Sequence, residues 1–191
     1  MCLLAGNIIR ICWALFLVVW IAAAISTKRA VYRESERRRL RYSLLLVAAY
    51  VLLLNPNALP HPFDLRLFPC SDTIAWVCAI SCVAGLIFCV WARATLGRNW
   101  SGRVTLKENH ELIERGPYRL VRHPIYTGLL VMYVATAILL GRMGALIFGV
   151  PLVFASFWIK LRDEEKIMLT QFPEQYAAYQ ERTARIIPFL L

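Results

Sequence analysis

Apolar residues in this chain gather into blocks separated by short polar stretches, and those blocks predict most of its architecture. ICWALFLVVWIAAAIS (11–26), with Asn7 to Arg10 at its rim, is long enough as a helix to cross a hydrocarbon core of about 30 Å. YSLLLVAAYVLLL (42–54) is shorter and spans only with little tilt or by drawing in Asn55 to Leu59. TIAWVCAISCVAGLIFCVWA (73–92) carries no charge and is the clearest span. IYTGLLVMYVATAILLG (125–141) and GALIFGVPLVFASFWI (144–159) are separated only by Arg142 and Met143, which predicts a tight antiparallel pair. The pattern predicts an all-α integral membrane protein with about five transmembrane helices. A cleaved signal peptide, suggested by AAAIS, fits the first block less well, because the apolar run is long and its basic residues follow it.

Two polar segments remain, at 94–124 and 162–191. The first is punctuated by Gly97, Gly102 and Gly116 and is expected to be a loop with short helical or extended pieces folded under the bundle. In the second, Ile167, Met168, Phe172, Tyr176 and Tyr179 recur at helical spacing, predicting an amphipathic helix interrupted near Pro173. The organisation expected is an N-terminal part, 1–92, with three helices and a basic loop at 28–41. A core at 93–191 follows, made of a connector 93–124, helices within 125–160 and a C-terminal helix 162–183.

Composition agrees with a membrane class. Of 191 residues, 59% are hydrophobic and 18% charged, against about half and a quarter in soluble domains. The net charge of +10 is uneven, with 28–41 dominated by lysine and arginine and further basic residues after the third and fifth blocks. The positive-inside bias then places the N-terminus outside and 93–124 and the tail in the cytoplasm, as expected in an inner or cytoplasmic membrane, with Arg142 the exception. Residues 28–41 need no role beyond topology and attraction to anionic lipid. Nothing suggests nucleic acid as a partner, since no aromatic-laced basic fold accompanies the charge. Of six cysteines, four lie within predicted spans and Cys70, on the outer side, has no obvious disulfide partner.

The chemistry-bearing residues fall on the cytoplasmic side: Asn99, Trp100, His110, Glu111, Tyr118, Arg122, His123, Tyr126, Lys160, Glu164 and Glu165. G-x-G-x-x-G, G-x-S-x-G and H-E-x-x-H are absent, and His110 and His123 lack a nearby acidic ligand, which disfavours a metal. Such a set suits a polar organic cofactor held by hydrogen bonds. The plainer alternative makes Arg119 and Arg122 interface anchors, Trp100 and Tyr118 interfacial aromatics, Tyr176 and Tyr179 packing residues, and Glu165 a favourable acid in a first helical turn.

GPYRLVRHPIYTG, preceded by HELIERG, and DEE followed by QFPEQYAAYQERTARIIP resemble the isoprenylcysteine carboxyl methyltransferase family and its bacterial and archaeal relatives, a group related to membrane phospholipid methyltransferases. The likeness runs from LGRNWSG over about residues 94–191, and the first two spans match only in being hydrophobic. It implies an S-adenosylmethionine-dependent enzyme whose cytoplasmic loop region and C-terminal helix form the cofactor site. By resemblance, the cofactor contacts are His110, Glu111, Leu112, Ile113, Tyr118, His123, Pro124, Ile125, Tyr126 and Glu164, and the catalytic set is Lys160, Glu164 and Arg122. Substrate binding falls to Lys160, where the family commonly has arginine, with Arg162 as a substitute. Lysine cannot grip a carboxylate bidentately as arginine does. The expected partners are membrane lipid and a lipophilic or lipid-modified substrate, methylated on a carboxyl group. Methylation of a phospholipid amine or of a small thiol or phenolic lipid is the alternative within the enzyme class, and a non-catalytic scaffold or carrier lies outside it.

Overall fold

Helices in this chain begin and end at the residues that chemistry assigns to those ends. The computed structural model describes residues 1–25, 30–55, 57–100, 105–107 and 111–188. Its long helices are α1 (Cys2–Ala24), α2 (Glu36–Leu54), α3 (Asp72–Leu96), α4 (Pro124–Leu140) and α5 (Val150–Gln171), with a short α6 (Pro173–Arg182) after them. Ser71 caps α3 by accepting from the Ile74 amide, and Gly97, at φ 53°, ends it. Pro124 opens α4, where its missing donor has no cost, and Gly141 closes it in the left-handed conformation.

Among the described residues, three helical segments are long and apolar enough to cross a membrane: Cys2–Ala24, Asp72–Asn99 and Ala145–Gln171. The last includes a π-helical turn, Ala145–Gly149, leading into α5. α4 is a shorter apolar helix, and α2 adds a charged first turn to its apolar stretch. The outward residues Val18, Ile21, Leu44, Val77 and Ile80 are more than half exposed, as surfaces that face lipid should be. The molecule is an all-α integral membrane protein apart from one small sheet.

α4 is central. Its Met132, Ala135 and Leu139 pack with Ile9, Cys12 and Phe16 of α1 and with Ala75, Cys78 and Cys82 of α3. Its Tyr133 and Ala137 pack with Ala49 and Leu53 of α2 and with Val153 and Phe157 of α5. Within a bilayer no water drives helices together, so small residues that admit close backbone approach hold them. Gly85 of α3 and Gly128 of α4 show this, since a Cβ on Gly128 would lie 2.6 Å from the Gly85 carbonyl oxygen. Tyr133 completes the second cluster, donating its hydroxyl to the Ala49 carbonyl at 2.6 Å in space left by Gly149.

Three expectations need correction. The helix expected at 162–183 does not start at 162. α5 runs unbroken from Val150 to Gln171, because the lysine, leucine, arginine and glutamate after Ile159 are good helix formers and nothing breaks the run before Phe172. The chain turns there, and Pro173 opens α6. Cys70 does have a partner: it forms a disulfide with Cys2, 68 residues away, because α1 and α3 start at the same end of the bundle. The basic loop also does more than set topology, since β1 (Ala30–Arg33) pairs antiparallel with β2 (Thr105–Lys107) of the connector. Just beyond β1, the Tyr42 hydroxyl donates to buried Glu34.

The α3–α4 contact yields a stability prediction. Gly128→Ala is expected to cost about 1–3 kcal/mol, the usual penalty of overpacking, because the added carbon meets backbone as well as Cys89. Gly6→Ala, with nothing within 4 Å of the new carbon, is expected to be neutral. Thermal unfolding of both variants in detergent checks the pair.

Candidate active site

At the end of the bundle where α3 finishes and α4 begins, the connector makes a short 3-10 turn, Gly116–Arg119, with Tyr118 buried in it. Gly116 has φ 61° and lies against Thr95, a position that a side chain would strain. The chain then enters α4 with the tail alongside. The Arg122 amide donates to the Ala184 carbonyl at 2.8 Å, and the His123 amide to that of Arg185 at 2.9 Å. The Thr127 hydroxyl donates to the Ile186 carbonyl at 2.6 Å. Tyr179 of α6 donates its hydroxyl to the Tyr118 carbonyl, also at 2.6 Å.

Glu165 sits at the middle of this junction, its side chain 4% exposed. Oε1 accepts from Arg122 Nε at 2.9 Å and lies 3.3 Å from His123 Nε2. Oε2 accepts from Arg185 Nε at 3.0 Å and from the Gln180 amide at 3.3 Å. The Arg122 guanidinium also donates to the Gln180 and Thr183 carbonyls. The expectation of a solvated acid at a helix start therefore gives way to a buried hub in mid-helix. It could not be read from the pair DEE, because its cationic partners lie 43, 42 and 20 residues away.

Glu164 faces the other way. Its Oε1 accepts the Tyr126 hydroxyl at 2.6 Å, and its Oε2 lies 3.6 Å from His123 Nδ1. Burial opposes a charged His123, but the bonds to Glu164 and Glu165 outweigh it and hold its pKa above the ordinary value. The His123 ring thus bridges two neighbouring carboxylates and fixes the first turn of α4 against α5.

Beside Glu164 opens a cavity of about 390 Å³, within the range of about 300–1,000 Å³ common for small-molecule sites. Of the residues expected at a site, Glu111, Leu112, Ile113, Tyr118, Arg122, His123, Pro124, Ile125, Tyr126, Lys160 and Glu164 line it. His110 lies outside the described residues, and Arg162 is exposed and not part of the lining. The Lys160 ammonium lies 5.4 Å from the Tyr42 ring centre and 5.6 Å from that of Tyr126, within cation–π range. Leu46, Leu129, Phe157 and Met168 give the cavity an apolar wall.

Trp20, Tyr42 and Leu46 of the first two helices also line the cavity, and sequence reasoning did not assign them to it. In an apolar span an aromatic residue has no local mark that separates a site wall from packing. Near the rim, Arg93 donates to the Ala23 and Gly97 carbonyls at 2.6 Å each and stacks on Trp100. Asn99 Oδ1, in the lining residue next to Trp100, is buried without a hydrogen-bond partner among the described residues. Among the described residues, no cluster of His, Cys, Asp and Glu could hold a metal ion.

The candidate site is thus a charged, aromatic-walled cavity at one end of a bundle of apolar helices. Residues 77–170 match the isoprenylcysteine carboxyl methyltransferase family. Protein-S-isoprenylcysteine O-methyltransferase A of Arabidopsis thaliana is 32% identical over 154 residues, covering 78% of each chain. A probable protein-S-isoprenylcysteine O-methyltransferase of Oryza sativa subsp. japonica is 30% identical over 155 residues, covering 78% of this chain and 80% of its own. A solved eukaryotic intramembrane Ras methyltransferase, an isoprenylcysteine carboxyl methyltransferase, superposes with a TM-score of 0.53 at 25% identity, over 84% of this chain. This chain spans 55% of the length of that one. The chain belongs to the isoprenylcysteine carboxyl methyltransferase family, a family of membrane methyltransferases.

Removing one member of a buried ionic group leaves its partners uncompensated, so Glu165→Ala is expected to lower stability by about 3–5 kcal/mol in detergent unfolding. The same assay carries a pH signature. With a folded pKa above its unfolded value of about 6.5, His123 stabilises the fold fully below that pH. The contribution fades as pH rises through the folded value, so the wild-type melting temperature should fall on that side, and by less in His123→Gln.

Proposed function

We propose that this protein transfers a methyl group from S-adenosylmethionine to the carboxylate of a lipid-modified, isoprenylcysteine-like acceptor. The observation that carries the reading is the composition of one cavity: carboxylate Glu164 and cation Lys160 in the same lining, beside an apolar wall. The relatives' names point to the same acceptor class.

The residues present fit the cofactor. Glu164 and Asn99 Oδ1, which has no partner among the described residues, are acceptors for its ammonium, hydroxyl or amino groups. Glu111, Leu112, Ile113, Tyr118, His123, Pro124, Ile125 and Tyr126 form the surrounding wall that we assign to it, with His110 in the same set by resemblance. When bound, it supplies a methyl group already activated on a sulfonium, so the protein's task is alignment, worth about 7–11 kcal/mol in favourable cases. Tyr126 serves alignment directly: its hydroxyl is fixed by Glu164 and its ring lies 5.1 Å from that of Phe157. Lys160 would hold the acceptor carboxylate as a point charge, framed by Tyr42 and Tyr126. Arg122, whose guanidinium is engaged by Glu165 and two carbonyls, is a positioning residue in this scheme.

Lys160 also favours a carboxylate over an amine as acceptor, because a phospholipid head-group ammonium would meet a like charge there. We place the site in the cytoplasm and residues 93–191 as its core, with α1 and α2 lending walls. The Cys2–Cys70 disulfide at the far end supports this orientation, since such bonds persist in oxidising compartments.

Binding and turnover of the purified full chain in detergent test the reading. S-adenosylmethionine should bind, and Glu164→Gln should weaken it about ten- to hundredfold, the scale of a charged hydrogen bond. Lys160→Ala should raise KM for a farnesylated cysteine with a free carboxylate while leaving cofactor affinity unchanged, and Lys160→Arg should restore it. Absence of cofactor binding would favour a scaffold, and labelled methyl on an amine lipid would favour the phospholipid reading.

A further inference from the structure

Two further cavities meet at Pro188 of the tail, the first of them sharing Arg122 with the site. The first, about 510 Å³, is lined by Arg119, Arg122, Arg182 and Arg185 against a single carboxylate, Glu181. Behind that lining, Glu165 holds Arg122 and Arg185, and Glu114 holds Arg182, so four guanidinium groups face three carboxylates and an excess of positive charge remains. Arg119 is exposed, and Arg185 is 32% exposed with its guanidinium over the Trp158 ring.

The second cavity, about 540 Å³, is an apolar groove between α3 and α4, lined by residues such as Val77, Leu130, Val131, Val134 and Ile138. It uses a different face of α4 from the one that carries Ile125, Tyr126 and Leu129 into the active-site cavity. The tail joins the two: Thr183, Ala184 and Arg185 line the basic cavity, and Ile186 and Ile187 line the groove. From Thr127 to Ile138 the groove follows α4 for about 16 Å at 1.5 Å per residue, and it ends beside Thr73 and Ile74 in the first turn of α3, at the opposite end of the bundle.

We propose that this composite surface binds one anionic glycerophospholipid from the leaflet on the site's side, its phosphate against Arg119 and Arg185 and an acyl chain in the α3–α4 groove. A surplus of guanidinium at the membrane-surface end, followed by an apolar channel along α4, matches the order of charge and hydrocarbon in such a lipid. A free phosphate would use the arginines and leave the groove unfilled, and a zwitterionic lipid would bring a cation towards them. The bound lipid would brace residues 183–188 from outside, while Glu165 holds the same tail from inside. The proposal rests on the two cavities and not on the reaction proposed above.

The full chain, purified in detergent, is incubated with dioleoyl phosphatidylglycerol or dioleoyl phosphatidylcholine, and retained lipid is counted by native mass spectrometry. One phosphatidylglycerol should be kept with about tenfold preference, and Arg119→Glu should remove most of that preference, as expected for reversing one charge at a lipid surface. A phosphatidylglycerol carrying a diazirine on its acyl chain should label residues within 73–81, 127–138 or 186–188. Val134→Trp, which fills the groove, should suppress that labelling and serves as the second variant should Arg119→Glu fail to fold. Glycerol phosphate in excess should not displace the lipid. Equal retention of the two lipids, labelling spread over α1 and α2, or displacement by glycerol phosphate would each overturn the proposal.

Discussion

The carboxylate of Glu165 is the constraint on which the rest of the site depends. A buried charge of this kind persists only when its hydrogen-bonding capacity is met by cations and donors. Here they come from three separate parts of the chain: Arg122 and His123 at the start of α4, Gln180 in α6, and Arg185 in the tail. Meeting them pulls the connector, α6 and the tail onto α5. His123, bound through its other nitrogen to Glu164, transmits that placement to the cavity wall one residue along. Glu165 itself does not line the cavity, whereas the adjacent Glu164 does.

Much of this was legible in the sequence because membranes impose simple rules. The apolar blocks located the helices, since a span must satisfy its own backbone and present apolar side chains to lipid. The backbone chemistry of Pro124 and Gly141 suits the two ends of α4 that they occupy. Residues flanking the last two apolar blocks, among them Tyr118, His123, Tyr126, Lys160 and Glu164, line one cavity. What stayed hidden depends on distance along the chain or on context. The Cys2–Cys70 bond needs α1 and α3 to start together, and the hub role of Glu165 needs the tail folded back. Tyr42 and Trp20 look like ordinary apolar-span aromatics until α2 and α1 are placed beside the site. The end of α5 was misread because a change from apolar to charged residues marks the membrane surface and not the end of a helix.

The bundle and the junction divide the work. Close contact of Gly85 with Gly128 and the Tyr133 bridge to α2 hold α4 in the middle of the helices without help from water. α4 therefore offers rigid ground on two sides, with Tyr126 directed to the polar cavity and Val131 and Val134 to the apolar groove. Family membership makes the chain a membrane methyltransferase, and the cavity's chemistry supports the proposed meeting there of a water-soluble donor and a lipid-dissolved acceptor.

Sidedness is the most direct test of the central claim that the connector and the end of α5 close one pocket together. The four free cysteines are buried, so single cysteines introduced at the exposed positions Arg115, Lys166 and Asn57 can be read in sealed vesicles with a membrane-impermeant maleimide. The account predicts that Arg115→Cys and Lys166→Cys react from one side and Asn57→Cys from the other. Reaction of Arg115→Cys and Lys166→Cys from opposite sides would contradict it.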